Sequence, residues 1–157
     1  MVIFRKNRYE LAKQITWHDV IRKMENEFEL DTCSVHGLVN LHGHTISIPT
    51  IVLHNENQTK TVFDAVKEIE KEWTTTSCHL YTSFAKGAAT FGRHNDEVNV
   101  LIVGAIGKVS YKFDDGTIHI VEPGDALYIP AGVYHDPDVL SARVTLSIST
   151  QQTPEIL

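Results

Sequence analysis

The strongest constraint on this chain is a run of short alternating segments that begins near residue 75 and continues to about residue 150. Val109, Tyr111 and Phe113 alternate with Lys108, Ser110 and Lys112. A period of two is the signature of a strand with one buried face. Asp114-Asp115-Gly116 closes that strand into a hairpin, because glycine accepts the positive φ of a tight turn. Residues 117–121 form the returning partner. Segments 78–84, 95–104, 126–129 and 142–150 read as further strands. Strands this short, with a turn roughly every eight to twelve residues, predict an all-β barrel or sandwich.

Before residue 75 the pattern differs. The spacing predicts a helix over 17–28, with Thr16 as N-cap and Val20, Ile21, Met24 and Phe28 on one face. Residues 37–54 read as strand, followed by a polar turn at Asn55-Glu56-Asn57. A second helix is predicted over 61–73, with Val62, Phe63, Val66, Ile69 and Trp73 on the packed face and its lysines and glutamates in solvent. The fold class expected is mainly β, with two α-helices in the N-terminal half. At 157 residues the chain fits one domain, 1–157. Within it, 1–75 form a lead-in of helices and strand and 76–150 the barrel core.

Charge narrows the partners. The chain carries 14 basic and 20 acidic residues, a net charge of −6. That argues against nucleic acid or an anionic membrane surface, both of which need clustered lysine and arginine. No apolar stretch approaches the roughly 18 residues of a membrane span, and the N-terminus lacks a signal-peptide core. Cys33 and Cys78 make no disulfide framework. A reduced, cytoplasmic setting is the simplest expectation.

Two motifs carry chemistry. His94-Asn95-Asp96 stands at the start of the strand read over 95–104, and residues i and i+2 of a strand share a face. The imidazole of His94 and the carboxylate of Asp96 are therefore expected to converge inside the barrel. The stretch Gly124-Asp125-Ala126-Leu127-Tyr128-Ile129-Pro130-Ala131-Gly132-Val133-Tyr134-His135 is a turn, a short strand, a Pro/Gly corner and a histidine. Pro130 ends ladder pairing and Gly132 permits a sharp bend, so the corner aims His135 back toward the barrel mouth. The 41 positions between His94 and His135 let the intervening strands return the second histidine beside the first. Two histidines and one carboxylate with vacant coordination positions match the facial triad of non-haem iron(II) oxygenases. His42-Gly43-His44 is also His-x-His on an expected strand, but no matching corner follows it. His36, His54 and His79 are read as structural histidines, His119 as outward-facing, and Cys78 as a small core residue.

The segment GDALYIPAGVYH resembles the second cupin motif. HND, where other cupins carry His-x-His, is similar to the first motif of the Jumonji C-type (cupin-8) 2-oxoglutarate oxygenases. The stretches SFAKGAATFGRHNDEVNVLIVGAIGKVSYKF and SARVTLSIS resemble the ribosomal-oxygenase branch of that family, as does ITWHDVIRKM near the N-terminus. The resemblance implies a double-stranded β-helix (a cupin or jelly-roll barrel) with His94, Asp96 and His135 holding Fe(II) or another divalent metal. It also implies 2-oxoglutarate as co-substrate, O₂, and hydroxylation of a small molecule or peptide. Relatives carry a basic residue two positions after the glycine that ends the first metal strand, where it binds the distal carboxylate of 2-oxoglutarate. Here that glycine is Gly107 and the position is Val109. Some other 2-oxoglutarate oxygenases anchor that carboxylate from the last strand with an Arg-x-Ser pair. The corresponding residues here are Arg143 and Thr145, with Tyr111 on the face of Val109. Two other readings stay open: a metal-dependent cupin enzyme that does not use 2-oxoglutarate, and a non-catalytic cupin that binds metal or ligand. Cupins often dimerise, and a homodimer is compatible with this architecture. Ribosomal-oxygenase relatives carry further dimerisation and winged-helix domains that are not in these residues, so a ribosomal target is not part of the expectation.

Overall fold

The structure, a computed structural model, describes residues 1–26, 30–33, 39–54 and 59–153. In chain order it places β1 (Ile3–Arg5), a 3₁₀ turn (Leu11–Gln14), α1 (Trp17–Asn26), β2 (Leu30–Cys33), β3 (Val39–Leu41), β4 (His44–Ile46), β5 (Thr50–Leu53) and α2 (Lys60–Ile69). The second half holds β6 (Thr75–Ser83), β7 (Asn99–Ile106), β8 (Val109–Phe113), β9 (Ile118–Val121), β10 (Ala126–Ile129), β11 (His135–Val139) and β12 (Arg143–Thr150). Seven strands make one antiparallel sheet in the order β1-β10-β7-β12-β6-β5-β2, three make another in the order β11-β8-β9, and β3 with β4 forms a separate hairpin. The strands β1, β2 and β5, all before residue 75, belong to the large sheet.

Alternation on the central strands builds two cores. On β7, Leu101, Val103 and Ala105 join Val144, Leu146 and Ile148 of β12 against the helices, where Val20, Val62, Ala65, Val66, Ile69 and Trp73 pack. The opposite face of β7, Val100 and Ile102, meets Val109, Tyr111 and Phe113 of β8 and Val121 of β9. This second cluster closes the barrel interior on the apolar side. It is the mainly β architecture with two helices that the strand pattern predicts, and it is consistent with a jelly-roll, or cupin, fold.

Several local readings are corrected. The helical stripes are narrower than the sequence suggests. Ile21 and Phe63 are 49% and 50% exposed, because each lies one residue, about 100° of rotation, off the packed seam. Phe63 instead carries the Lys67 ammonium 5.3 Å from its ring centroid. Lys23 of α1 is almost fully buried. Thr16 caps α1 as expected. Its Oγ1 accepts from the Asp19 amide at 3.3 Å, and its own amide and hydroxyl donate to the Asp19 carboxylate at 2.8 and 2.9 Å, a capping box closed by aspartate. Helix α2 ends at Ile69, and Trp73 packs into the core from the turn that follows. The strand read over 37–54 is interrupted. His42 and Gly43, with φ of 50° and 80°, turn β3 into β4 before β5 begins. His42 and His44 are therefore not alternate residues of one strand. Residues 36–38, the polar turn at 55–57 and Phe28 lie outside the described residues.

The reading of His119 as outward-facing is also inverted. His119 pairs with Tyr111 across the ladder and stacks on Phe4 at 5.2 Å. Ile118 and Ile120 take the outer face instead, 57% and 46% exposed.

Candidate metal centre

His94 and Asp96 are not alternate residues of a strand, since β7 begins only at Asn99. Their convergence has another cause. The segment around His94 bridges to the first residue of β11 through two main-chain hydrogen bonds, His94 N–H to His135 O at 2.9 Å and His135 N–H to His94 O at 2.8 Å. Two residues on, the Gly132 amide donates to the Asp96 carbonyl at 2.8 Å. The Asn99 side chain accepts from the Ala131 amide at 2.9 Å. The two motifs are thus latched to each other along their backbones. Gly132, with φ of 78°, makes the bend that brings its amide into the latch.

This latch sets the side chains. Nδ1 of His94 lies 2.8 Å from the carbonyl of Gly92, and Nδ1 of His135 lies 3.1 Å from that of Val133. A carbonyl only accepts, so each Nδ1 carries the proton and each Nε2 keeps its lone pair. Both Nε2 atoms face Asp96: His94 Nε2 stands 4.0 Å from Oδ1 and His135 Nε2 3.7 Å from Oδ2. One donor atom from each of the three residues falls within a sphere of contacts no longer than 4.8 Å. Adjacent donors on one ion at about 2.1 Å stand roughly 3 Å apart, so small rotations about the side chains close the set. Two neutral imidazoles and a carboxylate are borderline ligands suited to a divalent transition metal. Burial pushes the His135 imidazole below its ordinary pKa, which keeps it neutral and able to ligate.

The cluster opens onto a cavity of about 40 Å³. On its apolar side stand Val100, Ile102 and Phe91, the last edge-on to the His94 ring at 5.8 Å. The polar side is Tyr111, Arg143, Thr145, Ser147 and Tyr81. Arg143 is 2% exposed. Its Nε donates to Ser83 Oγ at 3.0 Å, its terminal nitrogen donates to Thr145 Oγ1, and its guanidinium lies 5.7 Å from the Tyr81 ring centroid. Tyr111 is buried beside Arg143 and Thr145, and burial raises its pKa. Val109 sits in the apolar core with no exposed surface. Lys108, one step along, faces out and pairs with Glu122 at 2.6 Å.

Sequence reasoning missed Ser83, Tyr81 and Phe91. The signal for the first two lay in β6, where His79, Tyr81 and Ser83 alternate with the buried Cys78, Leu80 and Thr82. Register then sets Tyr81 against Thr145 and Ser83 against Arg143. Phe91 reaches the cavity from a loop, where no periodicity exists to reveal it.

Two opposed antiparallel sheets with a His-Asp-His cluster at the mouth define a cupin-type scaffold. Residues 80–148 match the family model of the cupin domain. No curated protein matches the sequence. Among solved structures, the ribosomal oxygenase YcfD of Escherichia coli in complex with cobalt and 2-oxoglutarate superposes with a TM-score of 0.69 at 16% identity, over 99% of this chain and 49% of that one. The complex of the same enzyme with cobalt and succinic acid gives 0.69 at 15% identity, over 98% and 49%. A prolyl-4-hydroxylase of Pseudomonas putida gives 0.66 at 14% identity, over 97% and 92%. The chain spans about half the length of the ribosomal oxygenase it resembles. At these identities the likeness is one of fold.

Proposed function

We propose that His94, Asp96 and His135 hold one divalent metal, iron(II), and that the chain is a 2-oxoglutarate-dependent oxygenase that hydroxylates a small molecule or peptide. The observation that carries this reading is the pair of Nδ1–carbonyl contacts, which turns both Nε2 lone pairs toward the Asp96 carboxylate beside a cavity. Bound there, iron with 2-oxoglutarate and O₂ supplies the oxidising power for attack on a C–H bond. The chain's own residues bind, orient and shield. Arg143 takes the distal carboxylate of the co-substrate, since a guanidinium fork matches a carboxylate. Thr145 and Tyr111 add hydroxyl contacts beside it. Val100 and Ile102 keep that side of the cavity dry, and Phe91 screens the mouth. The anchor thus moves from the small sheet, where Val109 cannot serve, to β12 of the large one.

The test loads the apoprotein with Co(II), follows the metal's visible absorption, and then titrates 2-oxoglutarate. Saturable binding of both, with succinate released in the Fe(II) form, supports the reading. Metal binding without 2-oxoglutarate binding supports the second reading, a metal-dependent cupin that uses another substrate. Val109, buried in the apolar core where a basic anchor was expected, favours that alternative. Absence of metal binding overturns both.

A further inference from the structure

His54 and His79, read from the sequence as structural histidines, meet on the inner face of the large sheet. β5 pairs antiparallel with β6, Val52 opposite Tyr81 and Leu53 opposite Leu80. One step further along this register sets His54 against His79, and the side chains of a cross-strand pair share a face. That face also lines the metal cavity. Tyr81, two residues from His79, and Ser147, the partner of His79 on β12, both stand in its wall. The opposite face, with Leu53, Cys78 and Leu80, packs against the helices. Both imidazoles are half-buried, so ions and water still reach them.

The two rings have a particular geometry. Nδ1 of His54 lies 3.1 Å from Nδ1 of His79. The ring planes are perpendicular, with centroids 4.8 Å apart. A straight N–H···N bond of that length would hold the centroids about 5.4 Å apart, because each nitrogen would lie on the line between them. The rings stand closer than that, so their lone-pair axes are bent away from a common line. Two imidazoles that share an ion meet a different requirement. With metal–nitrogen bonds of about 2.1 Å and donors 3.1 Å apart, the angle at the ion is about 95° and the centroids stand about 4.8 Å apart. The observed pair has this separation. In the triad the histidine donors stand 4.0 and 3.7 Å from the carboxylate oxygens, so the His54–His79 pair is nearer to ligating spacing.

We infer that His54 and His79 form a second metal site, with the two Nδ1 atoms in neighbouring positions on one borderline divalent ion such as Zn(II). Imidazole donors without a carboxylate favour Zn(II), Ni(II) or Cu(II) over Mg(II) or Ca(II). Among the described residues no further imidazole, carboxylate or thiol completes a trio with this pair. The remaining positions of the ion therefore fall to water or to a donor atom of a bound molecule, as in open sites. Such an ion ties the end of β5 to β6, beside the polar wall of the cavity and separate from His94, Asp96 and His135.

The test is Zn(II) binding to the untagged full chain, by isothermal titration and by metal content after dialysis. Asp96→Ala with His94→Gln leaves only His135 of the triad, so the pair is read alone. This variant should bind one Zn(II) with micromolar affinity. His54→Gln or His79→Gln in the same background should weaken it at least about 100-fold, with an unchanged circular dichroism spectrum. His42→Ala with His44→Ala, which removes the exposed histidines of the β3–β4 hairpin, should leave it unchanged. Long-range nitrogen–proton NMR adds a readout that a purely structural pair would not move: Zn(II) should shift Nδ1 of both rings together. A triad-silenced variant that binds no Zn(II) overturns the proposal. So does binding that survives His54→Gln, binding lost with the hairpin histidines, or Nδ1 resonances that Zn(II) leaves in place. With the triad silenced throughout, these outcomes are independent of whether the first centre binds metal or turns over.

Discussion

At the residue scale, the proposed site divides into groups that would hold a metal and groups that would hold what binds beside it. Asp96→Ala should lower Co(II) affinity by at least about 100-fold, since even removal of a group behind the ligands costs 10–100-fold. Isothermal titration measures it, and near-wild-type affinity would remove Asp96 from the ligand set. Arg143 makes the opposite prediction. Arg143→Met should leave metal affinity within about threefold while abolishing 2-oxoglutarate binding, because the substituted side chain has no fork to offer. Arg143→Lys should not rescue it fully, as an ammonium cannot span Ser83, Thr145 and a carboxylate at once. Loss of metal together with co-substrate in either variant would show that Arg143 supports the fold rather than the ligand. The substitution leaves buried hydroxyls short of a donor, so a stability loss of about 1–3 kcal/mol accompanies it.

At the element scale, the packing of β7 against its neighbours depends on two glycines. A Cβ on Gly107, at φ of 67°, would stand 1.9 Å from the Ala142 carbonyl oxygen, and one on Gly104 would stand 2.1 Å from that of Glu122. Gly107→Ala should therefore destabilise the protein by about 2–4 kcal/mol, from positive φ and steric overlap together. Urea denaturation reads this out, and a loss below about 1 kcal/mol would contradict it. Elements with clean alternation were legible in the sequence. β8, β10 and β12 fall within a residue or so of the segments read as strands: β8 because burial of one face writes a period of two into its residues, β10 and β12 because they are short apolar runs, buried largely on both faces and bounded by turns. The convergence of His94, Asp96 and His135 could be expected from their spacing and the corner, but not the device that joins them. That device is a main-chain bridge, and backbone hydrogen bonds leave no mark on residue identity. β9 was misread for a related reason: apolar Ile118 and Ile120 suggest an inner face, and only the pairing of His119 with Tyr111 reverses it. β1, β2 and β11 were missed. Three to five residues pinned by ladder partners distant in sequence carry too little pattern of their own.

At the scale of the whole molecule, stability should fall in alkali. Burial, opposed by the Trp73 hydrogen bond and helped by the Glu72 carboxylate, pushes the Tyr9 phenol up from its ordinary 10.0 to about 12. Burial likewise raises the Cys78 thiol to about 12. Both groups keep their protons more tightly folded than unfolded. Their contribution is fully present below the unfolded pKa, near 9 for Cys78 and 10 for Tyr9, and is lost as pH climbs toward 12. Denaturation midpoints measured from pH 8 to 11.5 should drop, and Tyr9→Phe should remove up to about 2 kcal/mol of that pH dependence. A flat profile in the wild type would refute the assignment. A different consequence comes from the latch between the two metal motifs. Bringing residues 41 positions apart into contact costs a flexible chain a few kcal/mol of loop-closure entropy. In many small metalloproteins the ion itself meets that cost, and a chelator then unfolds them. Here four hydrogen bonds that involve no imidazole or carboxylate of the triad hold the loop shut without an ion. The centre should load and unload as a preassembled socket, with EDTA shifting the melting temperature by no more than a few degrees and re-addition of metal restoring the original spectrum without a refolding phase.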